Sequence, residues 1–532
     1  MTKATDLNLK INPSKSKAML MKMNKKTLKL TLDGKPLETV NTHKYLGIHF
    51  DRGLRFGAHI REMKRSIMER MNMIKVIAGN RHGGHPLTLG LIYHGIVRGY
   101  LDYGASIYNN ASKSNLEALM VANNACLRKV TGCSKTTPIN TLHAIASQKP
   151  LNYRRELITG KELIKHAQYN TPVYKQMRQI DETTAESSEQ TNLEKTYWCY
   201  KSLVDNMSQT TTVQTKSIIT INTDLGSLWS KANTSARVLK QLTLNLINGK
   251  FKDHRQIFTD ASRMDDTCGI GIYDEKSNTR ISLRLENPVC SMSAEIEAIY
   301  VALQHIERNH INNAVILTDS KAECEFILNQ ITSMERDEVI HEIITKAART
   351  NTCIQWIPGH VNIMGNELAD KLARNGLRKV KLSKNKIFPH DAINIIENIT
   401  TIKIQNWYVS YTQELGKGRK FFNIQTGINK KSWYHNLSLS NTETRTLNRL
   451  TSGHDYSPYW LSIMKASENR FCTICDKPNT SEHIILQCTK HNSLRKQLNL
   501  DNYKTIQEVF TNKNMDHLRN MMKLLKEINI QV

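Results

Sequence analysis

The protein has 532 residues, of which 39% are hydrophobic and 23% charged, a composition with room for several folded domains. Its net charge of +26 at pH 7 favours a polyanionic partner, either nucleic acid or an acidic membrane surface. No apolar run reaches the ~20 residues of a membrane span, and the N-terminus lacks the apolar core of a signal peptide. We therefore expect an intracellular protein that binds nucleic acid and no membrane. Its 10 scattered cysteines are typical of a reducing compartment.

The N-terminal half contains three regions of different periodicity. Residues 1–60 predict short strands and turns, with an extended run in "KINPSKSKAMLM", a hairpin in "TLKLTLDGKPLETV" closed by Asp33-Gly34, and a strand in "YLGIHFD". Residues 61–180 are predicted to be helical, because apolar residues recur every three or four positions in segments such as "HIREMKRSIMERMNMIKVIAG". Residues 181–250 include the polar segments "IDETTAESSEQTN" and "MSQTTTVQTKS" and are interpreted as a linker.

Residues 251–380 have the pattern of an α/β domain. Three strands are predicted in "QIFTDAS", "CGIGIYD" and "TRISLRL", followed by the helix "SAEIEAIYVALQHIER", the strand "AVILTD", a helix and the strand "CIQWIP". This β-β-β-α-β-α-β order predicts a mixed five-stranded sheet with flanking helices. The regions on either side, including a basic tail at residues 381–532, are expected to be mainly α-helical.

Four acidic residues of this domain are candidates for a common site. Asp319 follows an apolar strand, at the edge where α/β sheets hold their ligands. Asp260 is expected where its strand loses regularity. Glu295 lies beside small residues on a helix that can therefore approach the sheet closely. Asp370 could enter the same space from the start of the last helix.

Each acid alone is compatible with an ordinary role in a turn, a helix cap or a first helical turn. If all four converge, however, each ionised group disfavours ionisation of the next. Magnesium relieves such repulsion because it prefers oxygen ligands, and two ions ~4 Å apart can hold a scissile phosphate and activate water. The four acids together therefore predict a site for two Mg²⁺ ions.

At these residues the sequence resembles a known family. Asp260 in "FTDAS", Glu295 in "SAEIEAI", Asp319 in "LTDS" and Asp370 in "WIPGHVNIMGNELAD" are similar, in order and surroundings, to the catalytic quartet of type 1 ribonuclease H. The resemblance covers about residues 255–376. It implies the ribonuclease H-like fold and Mg²⁺-dependent cutting of the RNA strand of an RNA–DNA hybrid. It also implies that His360 shuttles protons or assists product release.

The tail contains a cluster with the spacing of a metal site. Cys472, Cys475, His483 and Cys488 form a C-x₂-C-x₇-H-x₄-C pattern, which can supply tetrahedral ligands for a structural Zn²⁺. The alternative is a reduced cysteine pair near an unrelated histidine. Just upstream, "NWYVSY", "GKGRKFF" and "NKKSWYH" interleave basic and aromatic residues, which suits either nucleic-acid binding or an ordinary core with a basic face.

Both ends of the chain resemble one class of polyprotein. "LKINPSKSKAMLM" with "YLGIHFD" is similar to the segment that follows the catalytic aspartates of non-LTR retrotransposon reverse transcriptases. "TLNRLTSGHDY" with the Cys/His cluster resembles the C-terminal tail of the same polyproteins. The resemblance implies a palm-end remnant at 1–60, a thumb- and connection-like region at 61–180, and a C-terminal polyprotein fragment overall. Because no Tyr/Phe-x-Asp-Asp hairpin precedes "LKINPSK", polymerase activity is not expected.

Four functional hypotheses remain distinguishable. The first is a Mg²⁺-dependent ribonuclease acting on RNA–DNA hybrids in the nucleus, where related elements carry out target-primed reverse transcription. The second is an inactive remnant that binds hybrid, RNA or DNA. The third is a transposase or integrase of the same fold, which would act on duplex DNA. The fourth is a zinc-dependent binding module, which leaves the four acids unexplained.

Overall fold

The structure, a computed structural model, describes residues 12–21, 29–32, 34–79, 83–180, 191–213, 219–225, 234–511 and 514–529. Asp33 of the predicted hairpin and residues 181–190, 214–218 and 226–233 of the predicted linker lie outside the described residues. The chain divides into two compact units. The first consists of Met1–Thr159 with Asn398–Val532, and the second is Gly160–Glu397.

The first unit begins with short strands and continues with helices. Thr31–Leu32 pairs with Lys35–Pro36, Thr42–Tyr45 pairs antiparallel with Ile48–Asp51, and Lys17–Ala18 pairs parallel with Glu38–Thr39. Its helices are Gly57–Ala78, Pro86–Ile92, Gly99–Asp102, Ala105–Tyr108, Lys113–Thr131, Ile139–Ala146, Arg419–Phe422, Asn441–Ser452, Pro458–Ile463, Asn492–Gln497, Ile506–Thr511 and Met515–Glu527. Two longer helices, Leu151–Gln168 and Pro389–Gln413, include residues of both units.

The two chain segments of the first unit share one hydrophobic core. Leu119 of the N-terminal segment and Leu447 of the C-terminal segment are both fully buried in it. Polar contacts follow the same interface, since the Asn448 side-chain amide donates to the backbone carbonyl of Thr131 at 2.9 Å. This bond pairs a carbonyl at a helix end that would otherwise be buried without a partner. The N-terminal helices and the tail therefore fold as one body.

A seven-stranded mixed sheet forms the centre of the second unit. Its strands, in chain order, are β1 (Ile221–Asn222), β2 (Arg255–Met264), β3 (Thr267–Asp274), β4 (Thr279–Leu285), β5 (Ala314–Thr318), β6 (Cys353–Trp356) and β7 (Leu382–Ser383). The spatial order is β7-β4-β3-β2-β5-β6-β1. The β2–β3–β4 meander is antiparallel, and the other four pairings are parallel.

The predicted ribonuclease H-like sheet is confirmed, with one difference in its size. All five predicted strands are present, and β1 and β7 extend the sheet at its two edges. These edge strands are two residues each, too short to produce an alternating pattern in the sequence.

Helices cover both faces of this sheet. They are α1 (Ala236–Gly249), α2 (Ser291–Arg308), α3 (Lys321–Gln330), α4 (Glu338–Arg349) and α5 (Met364–Gly376). Because side chains alternate along a strand, Ile257 of β2 packs in a core with α2, α3 and α4, whereas Phe258 packs with α1 and α5 on the other face. The result is a three-layer α/β/α arrangement.

Glycines let α5 approach the sheet more closely than other residues would allow. A Cβ on Gly271 of β3 would overlap the backbone carbonyl of Ala369, and one on Gly269 would overlap that of Ala373. Gly271 is also the register partner of Asp260 on β2. The close approach therefore brings the middle of α5 alongside one of the candidate acids.

The predicted linker contains secondary structure in its described parts. Helix Asn192–Asp205 buries Tyr197 and Val204, α1 follows in the same region, and Thr210–Thr212 pairs antiparallel with Glu335–Asp337. Pro172–Arg178 is a further helix of this unit. Among the described residues, no helix combines the length and apolar character needed to cross a membrane.

Candidate active site

Asp260 lies in the middle of β2 rather than at an irregularity. The strand continues to Met264, and Asp260 keeps regular antiparallel register with Gly271. Its side chain is buried, and its Oδ1 accepts a hydrogen bond from the backbone N–H of Ala261 at 2.8 Å. The expectation that the strand loses regularity at this point is wrong, because the hairpin with β3 extends the pairing beyond the acid.

Glu295 and Asp319 come to the same place from two other elements. Asp319 directly follows β5, the parallel neighbour of β2, and Glu295 lies near the start of α2. Ala298 and Ala302 of α2 are completely buried, as expected for a helix packed closely on the sheet. One carboxylate oxygen from each of Asp260, Glu295 and Asp319 lies within 4.8 Å of the others.

Burial and like charge act together on these carboxyl groups. Burial raises the pKa of Asp260 to about 7, and the charges of Asp319 and Asp370 add to the effect. Burial also raises the pKa of Glu295 well above its ordinary value, with further contributions from Asp260 and Asp319. The Oε2 atom of Glu295 is buried and has no hydrogen-bond partner. The cluster is therefore short of positive charge and of donors.

Asp370 lies beside this group rather than within it. The charge of Asp370 contributes to the raised pKa of Asp260. Asp370 is not, however, one of the three acids whose carboxylate oxygens lie within 4.8 Å of one another. Its carboxylate contacts the guanidinium of Arg374, one turn along α5, at 2.7 Å. Because α5 runs from Met364 to Gly376, Asp370 occupies the middle of the helix, and its expected place at the helix start is wrong.

His360 lies in the loop between β6 and α5, on the side of the acids. It is exposed and adopts a φ of 61°, in the left-handed region that a non-glycine residue rarely occupies. The preceding residue, Gly359, lies against Asp319, since a Cβ there would overlap the Asp319 carboxylate. The loop therefore places the residue directly before His360 against Asp319.

Three residues that the sequence did not single out hold Asp319 in place. The Trp356 indole N–H donates to the Asp319 backbone carbonyl at 3.1 Å, and the Asn366 amide lies 3.4 Å from its Oδ2. Because Gly359 has no side chain, the Asp319 carboxylate can lie where a Cβ would otherwise overlap it. All three belong to the segment "WIPGHVNIMGNELAD", but only the fold shows that they surround Asp319.

The donor set of the cluster fits a hard divalent cation. All the converging ligand atoms are carboxylate oxygens, which Mg²⁺ prefers, and the unpartnered Oε2 of Glu295 is a free ligand position. A cation there would also lower the pKa values that burial and repulsion raise. The residues present therefore fit Mg²⁺.

The Cys/His cluster of the tail assembles as a second, separate group in the first unit. One ligand atom from each of Cys472, Cys475, His483 and Cys488 lies within 4.8 Å of the others. The Cys488 Sγ lies 3.8 Å from the Sγ of Cys472 and 3.9 Å from that of Cys475. Two thiolates on one tetrahedral Zn²⁺, with bonds of ~2.3 Å, would lie about 3.8 Å apart. This spacing fits zinc.

The surroundings of the cluster support the same interpretation. Both ring nitrogens of His483 are buried without a hydrogen-bond partner, which is costly unless something binds them. The backbone N–H of Asp476 donates to the carbonyl of Cys472 at 2.9 Å, closing the tight turn between the first two cysteines. Arg495 donates to the carbonyl of Cys488 at 2.6 Å and fixes the far side.

Part of the chain is similar to known proteins. Residues 252–378 match the family described as RNase H. The chain is 29% identical over 138 residues to "Probable RNA-directed DNA polymerase from transposon BS" of Drosophila melanogaster, covering 25% of this chain and 15% of that protein. It is 29% identical over 126 residues to human "Ribonuclease H1", covering 21% of this chain and 44% of that protein. It is 29% identical over 106 residues to "RNA-directed DNA polymerase from mobile element jockey" of Drosophila melanogaster, covering 19% of this chain and 11% of that protein.

The matched portions are short on both sides. The chain covers less than half the length of each of these three relatives. A solved structure described as "Structure of the foamy viral protease-reverse transcriptase in complex with dsDNA" is similar over 24% of this chain and 95% of that chain, at 22% identity and a TM-score of 0.20. That score is too low to carry an argument. On the family match and the fold of the second unit, the protein contains a ribonuclease H domain at residues 252–378.

Proposed function

We propose that this protein is a Mg²⁺-dependent endonuclease that hydrolyses the RNA strand of RNA–DNA hybrids. The observation that carries the proposal is the convergence of three carboxylates, from β2, α2 and the end of β5, within 4.8 Å. Mutual repulsion among buried carboxylates is costly, and bound cations would relieve it. The match to the RNase H family and to human "Ribonuclease H1" supports the substrate class.

Asp260, Glu295, Asp319 and Asp370 would together hold two Mg²⁺ ions. When bound, the two ions would supply the positive charge that a phosphodiester hydrolysis requires at its attacking and leaving oxygens. The chain supplies the placement. Asp260 lies on β2, Asp319 directly follows the adjacent strand β5, and Asn366 and Gly359 restrict the rotation of Asp319. Arg374 orients Asp370.

His360 is proposed to move a proton rather than to bind metal. It is exposed, so its imidazole is open to solvent, and the preceding Gly359 lies against Asp319. Imidazole is the side chain that most often serves as a general acid or base. Its replacement should slow turnover or product release without removing metal binding.

The context of the activity is proposed from charge and relatives. A net charge of +26 suits binding to the phosphate backbones of a hybrid, and 2′-hydroxyls in its wide minor groove can distinguish the RNA strand. Two relatives are named as RNA-directed DNA polymerases of mobile elements, which supports a place for this chain in a retroelement polyprotein. We propose that it works in the nucleus. In the tail, Cys472, Cys475, His483 and Cys488 would hold a structural Zn²⁺.

The test is hydrolysis of an end-labelled RNA–DNA hybrid by the full chain in Mg²⁺, with Asp319→Asn as the variant. Because metal ligation supplies several kcal/mol of charge stabilisation, the variant should cleave at least about a thousandfold more slowly. Asp266→Asn, which removes an exposed acid from the turn after β2, is the matched control and should cleave at the wild-type rate.

Three results would contradict the proposal in different ways. A folded Asp319→Asn protein that cleaves at the original rate would remove Asp319 from the site. Cleavage of duplex DNA without an RNA strand would favour a transposase or integrase. Wild-type protein that binds the hybrid but never cleaves it would be an inactive binding remnant.

A further inference from the structure

A third group of possible metal ligands lies outside the acidic cluster and the tail. Cys290, His390 and Asp391, all in the second unit, each place one ligand atom within 4.8 Å of the others. The Cys290 Sγ lies 3.3 Å from the His390 Nε2, and that same nitrogen lies 3.6 Å from the Asp391 Oδ2. Sulfur and nitrogen ligands on one tetrahedral Zn²⁺ lie about 3.5 Å apart, given bonds of ~2.3 and ~2.0 Å.

Asp391 provides an independent sign of a ligand site. The residue is 2% exposed, and its Oδ1 accepts a hydrogen bond from the backbone N–H of Cys290 at 2.8 Å. Its Oδ2 is buried, points towards the Nε2 of His390 and has no hydrogen-bond partner. A carboxylate oxygen buried in this state is costly unless a proton or a cation satisfies it.

Hydrogen bonds do not reach the Asp391 Oδ2. The Nε2 of His390 faces the Cys290 Sγ at 3.3 Å, the Ser293 Oγ at 3.0 Å and the Asp391 Oδ2 at 3.6 Å. The Ser293 Oγ also lies 3.5 Å from the Cys290 Sγ, so these three side chains can pair with one another and leave the Asp391 Oδ2 without a hydrogen bond. A cation between them would contact the Cys290 sulfur, the His390 nitrogen and the Asp391 oxygen together. The Ser293 hydroxyl would lie next to this site.

The surrounding backbone holds the ligands before any metal arrives. Strand β7 pairs with β4, and the Asn287 backbone N–H donates to the Asn385 side chain at 2.9 Å, while the Asn287 amide donates to the Asn385 carbonyl at 3.0 Å. These bonds place the chain just before His390 alongside the chain just before Cys290. Preorganised ligands lose little conformational entropy on binding.

We propose that Cys290, His390 and Asp391 form a structural Zn²⁺ site that joins the start of α2 to the segment following the ribonuclease H domain. The soft thiolate, imidazole and single carboxylate select zinc over the magnesium expected at the all-oxygen acidic cluster. Cys290 is the residue that caps α2, and Glu295 lies further along the same helix. The site therefore fixes the end of the helix that carries a catalytic acid.

The surroundings of the Cys290 sulfur are polar. Its Sγ lies 3.3 Å from the Nε2 of His390 and 3.5 Å from the Oγ of Ser293. The thiolate is the form of cysteine that binds metal. A metal-bound thiolate is withdrawn from reaction with alkylating agents, and this gives the site a direct readout.

The first experiment maps alkylation of the wild-type full chain by iodoacetamide, with added ZnCl₂ or with a chelator, using peptide mass spectrometry. Zinc should slow alkylation of Cys290 by at least about tenfold, because a metal-bound thiolate is withdrawn from reaction. Cys199, an exposed cysteine of the same unit, is the internal control and should react equally in both conditions. Equal reactivity of Cys290 with and without zinc would overturn the proposal.

The second experiment separates this site from the tail cluster by stoichiometry. Native mass spectrometry should find two zinc ions per wild-type chain, one in Cys290→Ser and one in Cys475→Ser, with two retained in Cys199→Ser. His390→Gln should lose zinc protection of Cys290 while keeping the tail zinc. An unchanged zinc count in Cys290→Ser, or protection that persists in His390→Gln, would refute the assignment. None of these readouts depends on hybrid cleavage, so failure at Cys290 leaves the proposed nuclease activity standing.

Discussion

Replacing Asp260 with asparagine should stabilise the metal-free protein and abolish Mg²⁺-dependent cleavage at the same time. Asp260 is buried beside Glu295 and Asp319, and the three carboxylates face one another within 4.8 Å. Without cations, each ionised group raises the electrostatic free energy of the others. Asparagine has nearly the same shape and no charge, so the substitution removes repulsion without opening a cavity.

The magnitude follows from the pKa of Asp260. Its value of about 7 in the metal-free fold exceeds the ordinary value of 3.8. The folded state therefore binds the proton more tightly than the unfolded chain, and the free energy of unfolding falls as pH rises from about 4 to about 7. At ~1.4 kcal/mol for each pKa unit, the loss above pH 7 is on the order of 4 kcal/mol. The variant should recover a few kcal/mol of it.

The assay is calorimetric unfolding of wild type, Asp260→Asn and the control Asp266→Asn near pH 8, each in EDTA and in Mg²⁺. In EDTA, the domain transition of Asp260→Asn should occur at a higher temperature than that of the wild type. Magnesium should raise the wild-type transition but leave the variant nearly unchanged, since binding to the folded state stabilises it. If Asp260→Asn unfolds at a lower temperature in EDTA, or gains as much from Mg²⁺ as wild type does, the reasoning about mutual repulsion is wrong.

Three further substitutions test separate parts of the structure. Gly359→Ala should push the Asp319 carboxylate aside and lower hybrid cleavage by about a hundredfold, because misplacement of ~1 Å has that effect; an unchanged rate in a steady-state assay would contradict the close packing. Burial would raise the pKa of Asp274, but hydrogen bonds from Arg255 and His305 lower it to about 2. The free energy of unfolding of wild type should therefore exceed that of Asp274→Asn by its full margin above about pH 4, and this margin should shrink by about 2 kcal/mol as pH falls to about 2. Urea unfolding measures the margin, and a difference that stays constant with pH would argue against the ion pair. Zinc chelation should speed amide hydrogen exchange across residues 471–488, whereas Cys475→Ser should exchange rapidly with or without chelator; exchange in wild type that ignores chelation would exclude a structural zinc there.

Local patterns predicted the centre of the ribonuclease H domain well. The apolar run at Ala314–Thr318 is a completely buried strand, and the stripe of Ser291–Arg308 is a helix packed on the sheet. Both signals are strong because burial on a sheet and burial on one helix face impose different spacings of apolar residues. The two small residues Ala298 and Ala302 correctly indicated the close packing of this helix.

The misses share a physical cause, which is that partners distant in sequence decide the outcome. The regular course of β2 past Asp260 depends on its pairing with β3, and the position of Asp370 within α5 depends on where that helix begins. The two-residue edge strands β1 and β7 exist only because the sheet offers them partners. No local periodicity records such pairing.

The sequence by itself predicted the order of strands and helices of the ribonuclease H domain. It also singled out the four acids and the Cys/His cluster as candidate metal ligands, because these predictions depend on residue type and short-range spacing. Only the tertiary structure decided that Gly359 and Asn366 surround Asp319, that residues 398–532 share a core with residues 1–159, and that Cys290 meets His390. Each of these contacts joins positions whose approach depends on the packing of whole helices and strands. Hydrophobic burial drives that packing but is not directional, so the sequence around two distant positions does not show that they come into contact.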